Sequence, residues 1–299
     1  MSSEHDRSPK RRTILRSMGV ATGVPLTGAT FAYARDRSYA DENGDGIPDE
    51  KERSPAVHDR LEAIFGSQFE GLDPERRDLL LDVRYVDGTD VFSETKQEIV
   101  SLFRDRGIYA QWLDYPETYD REAFEDDYGQ SVKAILWDRD GFYRTEVESF
   151  LRDIAVQVIV VPGRTDPAYE GLVYSQWMDT LGGGRDGHVN GFSVGNRAVV
   201  ADRTNQSEEA RLILHEIAHL GLCHDDDPEN TGVMGTGEDL DLMDHEWETL
   251  RNNLENVRDT TGYDVVFRQC LWDETFTETS GIWDPGTLPD DVPIEVRRR

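Results

Sequence analysis

The sequence predicts an α+β fold with a sheet that is at least partly parallel, and three patterns carry that expectation. Residues 79–86, 95–105 and 108–113 read in succession as a buried apolar strand, a helix with Ile99, Val100, Leu102 and Phe103 at helical spacing, and a second strand, together a β-α-β unit. Residues 156–161, VQVIVV, are the plainest strand in the chain. Helical spacing returns from Ser207 through Leu212, Ile213, Ile217, Ala218 and Leu220, and again from Asp244 through Trp247, Leu250, Leu254 and Val257.

In chain order, the first segment is an address. Arg11 and Arg12 precede Ile14 and Leu15, a mildly apolar stretch runs over 18–31, and Ala32-Tyr33-Ala34 places small residues where a signal peptidase reads them. This order resembles a twin-arginine export signal and implies a secreted or cell-surface location. Glycine, threonine and Pro25 make the apolar stretch too weak and too short for a stable transmembrane helix, so no lasting membrane insertion is expected after cleavage.

The 299 residues hold 61 acidic and 32 basic side chains, a net charge of −29. Loss of residues 1–34 removes five basic groups (Arg7, Lys10, Arg11, Arg12, Arg16) and two acids (Glu4, Asp6), which takes the charge to −32. Four lysines, Lys10, Lys51, Lys96 and Lys133, leave 28 arginines. Scarce lysine with excess carboxylate resembles proteins that work in concentrated salt, where self-repulsion is screened and carboxylates keep the surface hydrated. Nucleic acid and anionic membranes are poor partners for such a surface.

Residues 41–52, DENGDGIPDEKE, match the twelve-residue calcium-loop pattern D-x-[DN]-x-[DN]-G-x5-E. Asp41, Asn43 and Asp45 would give side-chain oxygens, Ile47 a backbone carbonyl, Asp49 a direct or water-mediated contact, and Glu52 a bidentate carboxylate, while Gly46 permits the turn. Pro48 lacks the N–H with which paired EF-hand loops join, and only residues 35–40 precede the loop after the cleavage point. The segment therefore resembles the isolated loops of thrombospondin type 3 and dockerin-like segments, and 35–55 is expected to be a calcium-binding linker.

A helix from residue 56 leads to the first strand. Residues 114–140 are polar, dotted with aromatics and carry no clear period, and 143–152 read as a helix. Residues 182–187 are rich in glycine but lack the lysine of a phosphate loop, so no phosphate site is expected. Residues 191–194 and 197–201 read as short strands, with Gly195-Asn196 as the turn.

Three of the seven histidines lie in LHEIAHLGLCHDDDP, residues 214–228. Ser207 is the expected N-cap of their helix, with Glu208 and Glu209 in its first turn. His215 and His219, four apart, project from one helical face, so both imidazoles can reach one tetrahedral Zn²⁺. Glu216, beside the first ligand, is placed to take the proton of a water that the metal activates. Gly221 can end the helix in a left-handed conformation, letting the turned chain bring His224 back to the metal.

The run then reaches Gly232-Val233-Met234-Gly235. HExxH, a glycine, a third ligand and this methionine turn resemble the metzincin clan of zinc metallopeptidases, over about residues 207–259. One residue is missing between His219 and Gly221 relative to the clan's pattern. Aligned from the glycine the third ligand is His224; aligned from the first histidine it is Asp225. The resemblance implies a twisted mixed, mostly parallel sheet of the zincin type, an active-site helix, a C-terminal helix, Met234 as the floor of the site, and cleavage of a protein or peptide substrate by residues 56–299 acting as one catalytic domain. A calcium-dependent binding protein with a structural zinc, and a hydrolase of another amide, are the alternatives. Cys223 and Cys270 are candidates for a disulfide in an exported protein, while His58, His188 and His245 read as structural or solvent histidines. Oligomeric state is not legible.

Overall fold

The computed structural model describes residues 40–129, 131–137, 150–163, 172–173, 188–194, 196–219, 221–223, 229–235 and 239–254. The chain divides into two compact units, Met1–Tyr39 and Ala40–Arg299. The first, with the expected export leader, lies outside the described residues.

The second unit begins with the acidic loop, which runs into α1 (Asp49–Glu52) and α2 (Pro55–Phe65). Next come β1 (Asp78–Tyr85), α3 (Ser93–Asp105), β2 (Tyr109–Asp114), α4 (Arg121–Tyr128) and α5 (Val132–Trp137). The chain continues through β3 (Val156–Val161), β4 (Leu172–Val173), β5 (His188–Val189), β6 (Gly191–Val194) and β7 (Arg197–Ala201), and ends its described course with α6 (Gln206–Ala218) and α7 (Asp244–Asn253). None of the described helices is long and apolar enough to cross a membrane.

Five strands form one sheet in the order β2-β1-β3-β7-β6. β1 pairs in parallel with β2 (Asp78 opposite Tyr109) and with β3 (Leu81 opposite Val156), and β3 pairs in parallel with β7. Only β6 runs antiparallel, against β7, and it ends the sheet. The sheet is mixed and mostly parallel, with β1-α3-β2 the expected β-α-β unit.

Period-two alternation explains why both faces of β1 are buried. Leu79, Leu81, Val83 and Tyr85 join Val156, Val158 and Val160 under α3, α6 and α7, where Ile99, Phe103, Ile213, Ile217 and Trp247 complete the cluster. Leu80 and Val86 point to the other face with Ile159 and Val161, against Leu61 and Phe65 of α2, Phe124 and Tyr128 of α4, and Ile135 and Leu136 of α5. One face of β1 is wholly apolar, while the other sets Leu80 between the buried Asp78, Asp82 and Arg84, so the strand shows no exposed face in its sequence.

The structure fills in one stretch and corrects two details. The polar stretch over 114–140 contains α4 and α5, which contribute only a few large side chains each to the core. Of the helix expected over 143–152, residues 143–149 lie outside the described residues, and Leu151–Asp153 is a single 3-10 turn. The cap of α6 is Asn205, whose side chain accepts from Ser207 N (3.0 Å) and Glu208 N (3.2 Å), so Ser207 is already inside the first turn. The glycine-rich 182–187 lies outside the described residues.

Candidate metal centre

α6 is apolar on the face that meets the sheet and polar at its C-terminal end, where His215 and His219 emerge one turn apart. Their rings stand edge to face with centroids 4.5 Å apart, and the two Nε2 atoms face each other at 3.0 Å. The opposite nitrogens are anchored to carbonyls: His215 Nδ1 donates to Val233 O at 2.8 Å and His219 Nδ1 to Leu222 O at 3.3 Å. A carbonyl oxygen only accepts, so Nδ1 is the protonated nitrogen of each ring. In neutral imidazoles that turns both Nε2 lone pairs toward one point. Two bare lone pairs repel at this distance, so the pair must share either a proton or a metal ion. Nitrogens each about 2.0–2.1 Å from one tetrahedral zinc stand about 3.3 Å apart, so the pair fits zinc with a small opening.

The turn after the helix is built to hold His215. Val233 O receives its Nδ1, and Val233 N donates to Asp241 O at 2.9 Å. Arg211, one turn back on α6, donates to Asp239 O (2.9 Å) and Gly232 O (3.3 Å). Asn230 is 2 % exposed; its Oδ1 accepts from Gly232 N at 2.8 Å, and its Nδ2 donates to Glu246 Oε1 at 2.6 Å. Glu246 Oε2 in turn accepts from Met243 N at 2.7 Å, which fastens the turn to the start of α7. A side chain at Gly235 would place Cβ 2.5 Å from Asn230 O, so that position must remain glycine. Met234 is buried in the core cluster beside the turn.

Glu216 sits on the sheet side of the helix, against β6. Ser193 Oγ lies 2.7 Å from Glu216 Oε2 and 2.7 Å from Glu216 O, and holds the carboxylate to the edge strand. Gly191 leaves room for it: a Cβ there would come within 2.6 Å of Glu216 Oε1. Burial pushes the Glu216 carboxyl up to about 8, against the opposing effect of the Ser193 hydrogen bond.

Of the expected zinc-site residues, His215, Glu216, His219 and Met234 are thus placed, while His224 and Asp225 lie outside the described residues. Gly221 does not take a positive φ, contrary to the expected left-handed helix end. Its role is close packing, because a Cβ would lie 2.7 Å from Leu250 Cδ1 of α7. Cys223 is disulfide-bonded and so is no thiolate ligand; Cys270, the other cysteine of the chain, lies outside the described residues. Ser193, Gly191 and Asn230 were not foreseen. Ser193 lies on an expected strand, but nothing in GFSV marks which face meets the glutamate.

The acidic loop forms a second polar cluster. Asp45 (1 % exposed) and Glu52 (1 %) stand with Asp78 (0 %) of β1, their carboxylate oxygens within 4.8 Å of one another. Asp41 accepts from Gly44 N (2.9 Å) and Gly46 N (2.8 Å), Asn43 Oδ1 from Asp45 N (2.9 Å), and Asp49 Oδ1 from Glu42 N (3.0 Å) while its Oδ2 pairs with Arg53. Gly44 and Gly46 take φ of 72° and 83°, which only glycine adopts without strain. Burial, and then the Asp45 carboxylate, push Glu52 up to about 8, and burial also raises Asp78. His58 Nε2 lies 2.6 Å from Glu52 O and its ring stands edge-on to Phe69, a structural placement.

No protein-family model and no curated protein matches the chain. Among solved structures, it is similar to the crystal structure of archaemetzincin (amzA) from Methanopyrus kandleri, at 16 % identity and a TM-score of 0.40 over 60 % of this chain and 96 % of that one.

Proposed function

We propose that this protein is an exported zinc-dependent hydrolase of peptide bonds. The observation that supports this reading most is the pair of Nε2 atoms at 3.0 Å, each ring fixed in its tautomer by a backbone carbonyl. When bound, zinc supplies Lewis acidity, polarising a carbonyl and making water a nucleophile near neutral pH. His215 and His219 hold it, with His224 or Asp225 as the expected third ligand. Glu216 takes the proton of the attacking water and passes it to the leaving amine, and Ser193 keeps its carboxylate aimed.

The sheet edge argues for an extended peptide as substrate. β6 is bonded to β7 on one side, and among the described residues its other edge meets no strand. A peptide added to that edge would lie alongside the strand that holds Glu216, bound by main-chain hydrogen bonds that any sequence supplies. Export rests on Arg11, Arg12 and the Ala32-Tyr33-Ala34 site. The excess of carboxylate and the scarcity of lysine make concentrated salt the working medium.

The test is hydrolysis of a quenched peptide library in molar salt by the zinc-loaded and the metal-stripped protein. Cleavage that appears with zinc and vanishes without it is the expected result. Equal cleavage in both states, or none in the zinc-loaded protein, overturns the reading.

A further inference from the structure

The acidic loop is part of the core of the second unit. Ile47 is fully buried among Leu61, Phe65 and Leu80. Polar contacts then clamp the loop to the residues that lead into β1: Asp78 N donates to Asp45 Oδ2 at 2.6 Å, Arg77 Nε to Asn43 O at 2.8 Å, and Asn43 Nδ2 to Arg76 O at 2.7 Å. This docking brings a strand carboxylate, Asp78, against two from the loop.

One oxygen of the cluster is left without a protein donor. Asp78 Oδ1 accepts from Arg76 Nε at 3.0 Å, and its Oδ2 from Asp73 N at 2.9 Å. Asp45 Oδ1 accepts from Ile47 N at 2.6 Å, and Glu52 Oε1 from Asn43 Nδ2 at 3.1 Å. Glu52 Oε2, buried, has no hydrogen-bond partner. A carboxylate oxygen removed from water without a donor is strongly disfavoured, and a water or an ion is what completes such a group.

From these residues we infer that Asp45, Glu52 and Asp78 together hold one calcium ion, which fastens the loop to the first strand of the sheet. All three donors are carboxylate oxygens with no imidazole or thiolate among them, the set that a hard cation takes and that zinc does not prefer. Six to eight oxygens suit calcium, and the loop backbone and water can supply the remainder. Asp78 stands outside the twelve-residue pattern, so the ion bridges two parts of the fold and acts as a structural strut. Calcium removal thus weakens the hold of the loop on β1, which the protein contacts then carry alone, without touching His215 or His219.

This inference stands apart from the zinc reading, and its test holds zinc constant. The full chain, stripped of calcium and then loaded with zinc, is titrated with calcium by calorimetry in molar salt, and its thermal unfolding is followed with and without millimolar calcium. The expected result is a calcium site that raises Tm, and that magnesium at equal concentration fills less well. Asp78→Asn weakens calcium binding by at least about tenfold and leaves zinc content unchanged. Glu52→Gln, a change within the loop, has the same effect and serves if Asp78→Asn does not fold. Absence of calcium binding by the wild type, or undiminished affinity in a folded Asp78→Asn or Glu52→Gln protein, overturns the inference.

Discussion

Glu216→Gln is expected to leave zinc binding intact and to lower turnover by about 10²- to 10⁴-fold, the range of a lost general base. Glutamine matches glutamate in shape, so the contact with Ser193 and the fit beside Gly191 survive. What it loses is the ability to take a proton. Zinc content and turnover must therefore separate: content constant, kcat reduced, KM little changed, because no substrate-binding group is altered. The measurement is steady-state hydrolysis of one cleavable peptide by both proteins after their zinc has been assayed. A Gln variant that cleaves within a few-fold of wild type places the proton acceptor elsewhere.

Trp247→Ala is expected to remove about 3–5 kcal/mol of stability, the range for deleting a large buried aromatic. Trp247 is 1 % exposed and stands edge-on to Phe103 of α3 with centroids 5.2 Å apart. Its Nε1 donates to Asp241 Oδ1 at 2.7 Å. Asp241 also accepts from Val233 N, the residue whose carbonyl holds His215. Truncation therefore opens a cavity between α3 and α7 and releases one support of the turn under the histidine. Urea unfolding of the metal-free proteins reads the stability change, and zinc affinity reads the second effect. A loss below about 1 kcal/mol would mean that α7 contributes little to the core.

The sequence was most legible where one period dominates. VQVIVV of β3 and the apolar run of β1 are buried on both faces, as a central strand of a parallel sheet is. His215, Glu216 and His219 were legible because a helix converts spacing directly into direction. Whatever depends on contact between distant segments was hidden. Ser193 reaches Glu216 across 23 positions, and Asp78 reaches Asp45 across 33. Asn230 resembles any loop asparagine until Glu246 of α7 is placed beside it. The loop over 41–52 illustrates both sides: its pattern marks six oxygen donors, yet of its carboxylates the structure groups Asp45 and Glu52 with Asp78, a strand residue that the pattern does not contain. Gly221 shows the same limit, since glycine before a turn suggests a left-handed cap while the need here is space for Leu250.

His215 and His219 are expected to hold a zinc ion between their Nε2 atoms. The most direct test is zinc titration against a competing chromophoric chelator, for wild type and His219→Ala, with calcium present throughout. The expected result is one tight zinc per wild-type chain, and an affinity lower by at least about 100-fold in the variant, since loss of a direct ligand exceeds the 10- to 100-fold effect of an outer one. Equal zinc affinity in the two proteins would contradict it.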